Sequence, residues 1–538
     1  MAQYILKFVL LIILDYTFIF KLFFFDFYMV EGVETGESLD DYINNVIGKG
    51  DEGSKLLAGL CAPTLKNCPY VNVVQDGMNG VAVLKNLPAD KVVVVYSVGG
   101  DSSISGLVPY TQSMVNRLIQ VAHSNNLTPL AFADVIDANS GNLDVINTMG
   151  HTLSKAAYDN GISILNGEFA VLGGRVNCHA NIIGTMIALG DVDEFELGEG
   201  WLRGLDHSVT SAVFYHEGKP VYINSDGVGT KTEFHERTGR HERGLWDAGA
   251  MQADDLIKLG AEAKVFSQII EYYDSKNFKT HIDSKRMDRC AKELSKYLGA
   301  NYIFQFENVG GHRITGFSPN YPAYNISGSS VSLIHEKRLK NPLHPSVGDD
   351  LIAIRGRKPN PRSNGITDKR QLMVRMFGPD YHNTAIGKVF LKYLSEPSVI
   401  LYPYFKDLIN QDLATSVYHP SGGAWKGKLA RPLAKEGLYV RAGKEKGGEL
   451  FEPDWRELAL AGENLTSAYD AYAKWPMGTD GFITTQNTEG ALDYLRSKGF
   501  DARVIGRIEK NKDGKTGVEL TACNGKEVYY GGLEKKVA

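Results

Sequence analysis

Short apolar runs alternate with amphipathic segments along the chain from residue 70 onwards. The run "KVVVVYSV" predicts a strand, and the apolar positions of "YTQSMVNRLIQVAHSNN" recur at the three- and four-residue steps of a helix. A second predicted strand, "TPLAFADVID", precedes "DVINTMGHTLSKAAYDNG", a helix predicted to end at its glycine. The runs "ISILNGEFAVLGG" and "ANIIGTMIALG" complete a predicted α/β unit with a small sheet.

The same order of elements occurs again after "DVDEFELGEGWLRG", whose acidic residues and glycines predict a linker. "KPVYINSDGVGTK" predicts a strand and a loop, and "LWDAGAMQADDLIKLGAEA" predicts a helix capped by Gly260. The strand "KVFSQIIEYY", the helix "SKRMDRCAKELSKYLGA" and the runs "YIFQFENVGGHRITG" and "YNISGSSVSLIHE" then follow. This repetition predicts an internal duplication of one α/β unit.

A third region begins near Lys340 and occurs only once. It opens with the predicted strand "VGDDLIAIRG" and closes with "MGTDGFITTQNTEGALDYLRSKGFDARVIGRIE", a predicted strand, helix and strand. The sequence therefore predicts an α+β protein with domains at 40–192, 205–338 and 340–515, followed by a tail at 516–538.

The segment 1–28 is strongly apolar and nearly long enough to span a bilayer. It carries Lys7, Asp15, Lys21 and Asp26, and charges inside a membrane span are costly. No small-residue cleavage site of a signal peptide follows it. Because a second methionine stands directly after the run, we expect the leader to be a translation-start artefact and the protein to be cytoplasmic. A membrane anchor is the alternative if the leader is real.

Charge and cysteine content narrow the classes of function. A formal net charge of −5 at pH 7 argues against a nucleic-acid partner. The five cysteines form no C-x-x-C pair, which argues against a disulfide framework and a structural zinc site.

The loop "NSDGVGTKTEF" contains the first candidate chemistry. Gly227 and Gly229 allow backbone N–H groups to approach an anion, and Thr230 and Lys231 add a donor and a charge. Asp226 suits a phosphate only if a divalent cation lies between them. The spacing is not that of a P-loop. The loop alone fits either a Mg²⁺-nucleotide site or a hairpin turn with a charged tip.

Seven motifs, taken in order, resemble those of the aminoimidazole ribonucleotide synthetase family, also called phosphoribosylformylglycinamidine cyclo-ligase. They are "SDGVGTK", "ADDLIKLGAEA", "VGGHRITG", "RSNG", "HPSGGAWKGKLAR", "MGTDGFITT" and "ARVIGRIE". The resemblance spans about 215–515. It implies the ATP-dependent, Mg²⁺-requiring cyclisation of formylglycinamidine ribonucleotide to aminoimidazole ribonucleotide in purine biosynthesis. Phosphoryl transfer of this kind needs positioning and charge neutralisation more than a covalent nucleophile.

The resemblance also implies roles for individual residues at the nucleotide end. Asp226 and Asp255 would hold Mg²⁺, and Lys231 would meet phosphate oxygens. Asp254 is next to Asp255 on the predicted helix and points about 100° away from it, so the two carboxylates cannot both face one ion well. The alternative to a metal ligand for Asp254 is a solvated position or a helix cap. The groups expected to line the phosphates are Gly227, Gly229, Thr230, Gly310 and Gly311.

At the substrate end, the resemblance implies two loops. Ser363, Asn364 and Gly365 form the first. The second precedes a helix predicted to begin near Ala424 or Trp425, whose free N–H groups would suit the ribose 5-phosphate. Its expected contributors are His419, Ser421, Gly422 and Gly423, with Lys426, Lys428 and Arg431 either adding positive charge or forming an ordinary basic surface.

The sequence departs from the family pattern in three places. His312 replaces the glutamate expected after the paired glycines in the second copy, whereas the first copy keeps one as Glu168 but lacks the lysine of the nucleotide loop. Arg362 stands where the family usually has a histidine.

The family works as a dimer whose first domains pair into one barrel with nucleotide sites at the junction. The two copies here therefore suggest a barrel-forming pair within one chain, with a C-terminal domain of the same family type. We hypothesise an internal pseudo-dimer with one surviving site, built from Asp226, Lys231 and Asp255 of the second copy and Glu168 of the first. The alternatives are that the first copy is only a scaffold and Glu168 a surface acid, or that the chain self-associates.

Two other functions stay open at this point. The same fold could transfer a phosphoryl group from ATP to a different acceptor. The losses in the first copy and His312 in the second could also mark a catalytically retired nucleotide-binding scaffold.

Overall fold

The computed structural model describes residues 52–76, 79–195, 202–205, 209–273, 282–309, 313–318, 321, 323–443, 448–461, 467–511 and 514–531. The predicted leader at 1–28 lies outside these ranges, as does the beginning of the domain predicted at 40–192. Across the described ranges, no helix is both long and apolar enough to cross a membrane.

The strands are numbered in chain order. The first twelve are β1 (Val71–Asp76), β2 (Asn79–Leu84), β3 (Lys91–Gly99), β4 (Thr128–Ala138), β5 (Ser163–Val171), β6 (Ala180–Asp191), β7 (Leu202–Leu205), β8 (Val209–Phe214), β9 (Val221–Gly227), β10 (Ala261–Tyr272), β11 (Asn301–Asn308) and β12 (Tyr324–Ile334). Those of the C-terminal region are β13 (Asp350–Arg355), β14 (Ser416–Tyr418), β15 (Leu438–Ala442), β16 (Gly481–Thr485), β17 (Asp501–Lys510), β18 (Gly517–Thr521) and β19 (Glu527–Tyr530).

A helical segment at 52–61 precedes the helices that we number. These are α1 (Leu107–Ser124), α2 (Leu143–Asp159), α3 (Thr232–Thr238), α4 (Arg243–Leu256), α5 (Ser284–Leu298), α6 (Glu336–Lys340), α7 (Ile366–Phe377), α8 (Ala385–Leu394), α9 (Tyr402–Asn410), α10 (Arg431–Lys435), α11 (Trp455–Leu460), α12 (Ala468–Lys474) and α13 (Thr488–Ser497). A π-helix (Trp425–Ala430) leads into α10, and short 3₁₀ turns include Gly173–Arg175 and Gly229–Lys231. The structure is thus mixed α+β.

Two six-stranded sheets share one strand order. The first sheet runs β5-β4-β6-β3-β8-β7 and the second runs β1-β2-β9-β12-β10-β11. From the first strand of each unit, the order is β3-β6-β4-β5 in one and β9-β12-β10-β11 in the other. The sequence did not predict the hairpins: β1–β2 precedes β3 in the chain but joins β9, and β7–β8 precedes β9 but joins β3.

The first and second sheets bury their inner faces against each other. The run "KVVVVYSV" has no polar face because β3 is buried on both sides, as its composition requires. Val93 and Val95 pack with Val221 and Val331 of the second sheet in one core. The alternate residues of β3 pack in a second core with α1 and α2, which cover the outer face of the first sheet.

A seven-stranded third sheet, ordered β14-β16-β13-β17-β15-β18-β19, forms the C-terminal region. The predicted strand, helix and strand are found there as β16, α13 and β17. The predicted tail at 516–538 differs from the structure, because β18 and β19 belong to this sheet and bury Val518, Leu520 and Val528. The apolar residues at 518, 520 and 528 therefore pack at the half-buried edge of the third sheet and do not belong to a free terminus.

Gly328 tests the close packing of β12 between β9 and β10. A Cβ atom at this position would lie 2.1 Å from the carbonyl oxygen of Ser267, so alanine cannot fit without moving the backbone. We expect Gly328→Ala to lower the free energy of unfolding by more than about 2 kcal/mol in denaturant titrations. The matched control is Gly59→Ala in the segment 52–61, where nothing lies within 4 Å of the added atom. Equal stability of the two variants would contradict the packing described.

Candidate functional site

The glycine-rich loop leaves the end of β9 and leads directly into α3. Asp226 is partly buried and its Oδ1 accepts a hydrogen bond of 2.7 Å from the N–H of Gly227. Gly229 has a φ of 62°, and the turn Gly229–Lys231 continues into the helix. Thr230 places its hydroxyl 3.1 Å from that of Thr367 at the start of α7, which connects the loop to the C-terminal region.

Carboxylates from both sheets meet beside this loop. Burial, followed by the charge of Asp255, raises the pKa of the Asp226 carboxyl to about 7. Burial, followed by the charge of Asp226, raises the pKa of Glu168 on β5 well above its usual range. The structure therefore brings together the acids of the second sheet and Glu168 of the first.

Asp255 is the acid of this group that stays ionised. Burial alone would raise the pKa of its carboxyl, but Lys258, Lys428 and His419 lower it well below its usual range. Its Oδ1 accepts a hydrogen bond from Lys258 and lies 3.5 Å from the Nζ of Lys428. The charges of Asp226 and Glu168 also act on Lys428, so all three acids lie within electrostatic reach of this ammonium.

The tautomer of His419 follows from its partners. The Nη2 of Arg362 lies 3.4 Å from His419 Nδ1, and a guanidinium can only donate, so Nδ1 accepts. Nε2 then carries the proton and donates to Asp255 over 2.7 Å. Burial, with the nearby charge of Lys258, lowers the pKa of the imidazole well below its usual range, so the ring is neutral. His419 thus fixes the orientation of the Asp255 carboxylate.

The two predicted substrate loops lie side by side. Asn364 is buried and its Nδ2 donates to the carbonyl of Pro420. Gly365 directly precedes α7 with a φ of 57°, and a Cβ there would lie 2.2 Å from the Trp475 ring, so glycine is required. The hydroxyls of Ser363 and Ser398 are 3.3 Å apart.

The second loop places its glycines before the predicted helix. Gly422 and Gly423 are exposed, and Gly423 has a φ of 82°. The helix begins at Trp425, as expected from the sequence, although its first part is a π-helix. Ser421 lies behind these glycines with its hydroxyl 3.4 Å from His419 Nε2.

Lys231 lies apart from the acids around Lys428. Its side chain is fully buried, and its Nζ donates to Asp247 Oδ1 over 2.7 Å and to the carbonyl of Glu396 over 2.9 Å. Asp247 also accepts hydrogen bonds from His235 and Ser398. Lys231 therefore joins the loop to the C-terminal region, and its expected contact with phosphate stays a prediction.

Other predicted residues are further from the acids or outside the described ranges. Arg431 and Lys426 are exposed. Gly310, Gly311 and His312 lie outside the described residues. Asp254 is buried, and its Oδ1 accepts from the N–H groups of Leu401 and Tyr402, so it caps the start of α9.

Two features of the site were not predicted from the sequence. Lys258 follows Asp255 by three residues, a spacing at which helical side chains meet, so this pair could have been found. The path from Asp254 through Arg362 to His419 could not, because it joins residues far apart in sequence. Arg362 is 2% exposed, which leaves it little access to any ligand.

The acids suit Mg²⁺ chemically. Mg²⁺ prefers oxygen ligands and is commonly held by one or two carboxylates together with phosphates and waters. Among the described residues, no group of three or more histidine, cysteine, aspartate or glutamate side chains could hold a metal ion by itself. Asp226 and Asp255 offer carboxylate oxygens of this kind, and their binding of a nucleotide's Mg²⁺ ion stays a prediction.

A cavity of about 600 Å³ opens in the C-terminal region beside Asn360 and Asp480. It is lined by none of the predicted site residues. Asp480 accepts a hydrogen bond from Asn360, and its carbonyl accepts one from Arg362. The cavity is therefore next to the first substrate loop but separate from the acids.

The buried pair of Lys231 and Asp247 predicts a large effect on stability. We expect Asp247→Asn to lower the free energy of unfolding by about 3–5 kcal/mol, because it leaves a buried ammonium without its carboxylate. Denaturant unfolding measures this change, with Asp493→Asn on the exposed side of α13 as the control. A loss as small as that of the control would mean that Lys231 does not depend on this pair.

Comparison with known proteins supports the resemblance found in the motifs. No protein-family model matches the chain. Phosphoribosylformylglycinamidine cyclo-ligase of Magnetococcus marinus is 23% identical over 313 residues, which cover 56% of this chain and 82% of that protein. The enzyme of the same name from Synechococcus sp. is 27% identical over 305 residues, which cover 54% of this chain and 82% of that protein.

Solved structures of similar proteins include thiamine-monophosphate kinase from Stenotrophomonas maltophilia, at 12% identity and a TM-score of 0.39. That match covers 56% of this chain and 85% of the kinase. PurL of T. maritima complexed with AMPPCP matches at 13% identity and a TM-score of 0.34, covering 57% of this chain and 43% of that one. The two curated relatives confirm that the chain resembles the aminoimidazole ribonucleotide synthetase family.

Proposed function

We propose that the chain binds ATP with Mg²⁺ beside the loop after β9 and cyclises formylglycinamidine ribonucleotide to aminoimidazole ribonucleotide. The observation that carries the proposal is the meeting of Glu168, Asp226 and Asp255 around Lys428, next to a glycine-rich loop. Neighbouring carboxylates whose pKa values are shifted in opposite directions, raised for Glu168 and Asp226 and lowered for Asp255, are typical of functional sites. The names of the two curated relatives supply the reaction.

In this proposal, the γ-phosphoryl group of ATP passes to the amide oxygen of the substrate. A substrate nitrogen then attacks the activated carbon, the new C–N bond closes the ring, and inorganic phosphate leaves. Mg²⁺, when bound by Asp226 and Asp255, would neutralise phosphate charge. The residues of the chain position the groups rather than react with them.

The hydrogen bonds and charges of the site indicate the role of each of its groups in this proposal. His419 has its N–H engaged by Asp255 and its other nitrogen facing Arg362, so it holds the carboxylate and does not serve as a free base. Lys428 supplies positive charge where negative charge accumulates. The exposed glycines 422 and 423 offer backbone N–H groups for the substrate phosphate.

The contacts of Arg362 show what this residue does at the position where the family usually has a histidine. Its guanidinium donates to the carbonyls of Val399 and Asp480 and to the carboxylate of Asp254. Because the guanidinium is engaged by these buried partners, the arginine at this position affects how His419 is held more than it affects the surface that an acceptor would meet. Transfer to another acceptor, and loss of activity in a nucleotide-binding scaffold, are the other outcomes of the tests below.

Asp226 provides the direct test of activity. With the chain beginning at Met29, we expect phosphate and aminoimidazole ribonucleotide to form together only when both ATP and formylglycinamidine ribonucleotide are present. Asp226→Asn should lower kcat/KM at least about 100-fold, because charge stabilisation at the phosphates is lost. The control is Asp493→Asn. Phosphate without the imidazole product would indicate a different acceptor, and nucleotide binding without turnover would indicate a scaffold.

Glu168 tests whether the first sheet contributes to the site. We expect Glu168→Gln to weaken the binding of Mg²⁺-ATP, with a Kd raised about tenfold, equivalent to about 1.4 kcal/mol. Isothermal titration calorimetry measures the Kd, and Glu194→Gln, at an exposed position in the same unit, is the control. An unchanged Kd would mean that Glu168 lies outside the nucleotide site and that the first sheet is only a scaffold.

A further inference from the structure

The two units that contain the first and second sheets exchange contacts in matching pairs. The bridge between Val176 and Ile314 lies between equivalent loops, one after β5 and one after β11. The N–H of Asn177 donates to the carbonyl of Arg313, and the N–H of Thr315 donates to the carbonyl of Arg175, both over 2.9 Å. Such reciprocity is the signature of an interface with twofold symmetry.

The arginines of these loops extend the exchange. Arg175, from the first unit, binds Glu236 on α3 of the second unit, with contacts of 2.6 and 3.0 Å. Arg313, from the second unit, stacks its guanidinium 3.4 Å from the ring centre of Tyr110 on α1 of the first. Each arginine thus reaches a helix that follows the first strand of the opposite unit.

Buried polar groups between the sheets repeat the pattern. Asn325 on β12 donates to Asp137 on β4 over 2.6 Å, and Asn181 on β6 donates to Glu271 on β10 over 2.5 Å. Within each sheet the corresponding residues are register partners, Asp137 with Asn181 and Glu271 with Asn325. The side chains that cross between sheets therefore come from equivalent positions.

We propose that the two equivalent junctions of the internal pseudo-dimer hypothesised from the sequence have diverged, and that the one at the end of β3 is closed by the ion pair of Arg117 and Glu307. The open junction lies at the end of β9 and contains Asp226, Asp255 and Glu168. The closed junction lies at the end of β3, where Arg117 and Glu307 occupy the place of a nucleotide and its cation. With one junction closed, the chain has one nucleotide site. That number rests on the proposed function, whereas the closure of the junction at β3 does not.

The closed junction uses equivalent elements with different chemistry. Gly99 ends β3 as Gly227 ends β9. Glu307 stands on β11, the edge strand beside β10, two residues beyond the position that corresponds to Glu168 on β5, the edge strand beside β4. Arg117 comes from α1, the helix after β3, as Asp255 comes from α4, a helix after β9.

Arg117 and Glu307 satisfy the groups that a ligand would otherwise meet. The N–H of Gly99 donates to Glu307 Oε2 over 3.1 Å, and Arg117 Nη1 donates to the Gly99 carbonyl over 2.5 Å. Arg117 Nη2 binds Glu307 Oε1 over 3.1 Å. A Cβ at Gly99 would lie 2.3 Å from Glu307, so the carboxylate packs directly on the strand end. The guanidinium places a positive charge at this junction, as a metal ion held by Asp226 and Asp255 would in the open junction.

The first test counts nucleotides. Isothermal titration calorimetry of the full chain with Mg²⁺ and a non-hydrolysable ATP analogue is expected to give one site per chain, and light scattering reports the number of chains in the particle. Asp226→Asn should abolish that binding, whereas Arg117→Ala should leave the stoichiometry at one. Two sites per chain, or one site shared by two chains, would overturn the proposal.

The second test examines the closure without any nucleotide. Arg117→Glu alone should lower the melting temperature, because it places a carboxylate beside Glu307 and near Glu271. Adding Glu307→Arg should recover part of the loss. The matched control is the exchange of Lys155 and Asp159, an exposed ion pair whose side chains are 75% and 50% accessible, where both effects should be small.

Each result of the second test is decisive for the closure. Recovery greater than in the control supports it, and additive losses overturn it. If the analogue does not bind but the recovery is seen, the proposed function fails while the closed junction stands.

Discussion

The packing of two sheets against each other determines the rest of this structure. Val93 and Val95 of the first sheet and Val221 and Val331 of the second are buried in one shared core. Burial of such surface is the dominant favourable contribution to folding, and here neither sheet can bury its inner face alone. The same packing sets Glu168 beside Asp226 and Glu307 beside Gly99. The chemistry at the strand ends is thus a product of the core beneath it.

The candidate site adds a third element to this pair of sheets. Lys428 and His419 come from the C-terminal region, and both act on Asp255 at the end of α4. Arg362 supports His419 from behind while it is itself held by Asp254. The positive charges that balance the acids therefore depend on docking of the C-terminal region, so the site is complete only when all three sheets are in place.

Much of the fold could be predicted from local signals. The strands β3, β4 and β10 follow from their apolar runs, and Gly260 ends its helical segment in the left-handed conformation with a φ of 62°. The exchange of the hairpins β1–β2 and β7–β8 could not be predicted, since hairpins pair locally whichever sheet they join. Lys231 shows the same limit within the site: its glycine-rich neighbours suggest phosphate, but its buried partner Asp247 stands on a different helix. Sequence motifs located the loop, whereas tertiary contacts decided which cation lies beside the acids.

The exchanged hairpins have a consequence for how the molecule can form and how it can be divided. β2 joins β9 through Leu84 and Val221, although the whole first unit lies between them in the chain. Pairing of such distant segments is slow and closes late in folding. While only the first unit has been synthesised, the hairpin β1–β2 therefore lacks its partner strand β9. The inner face of the first sheet also stays uncovered until the second unit is made. The two halves of the chain are obligate folding partners, each carrying a strand pair that belongs to the other.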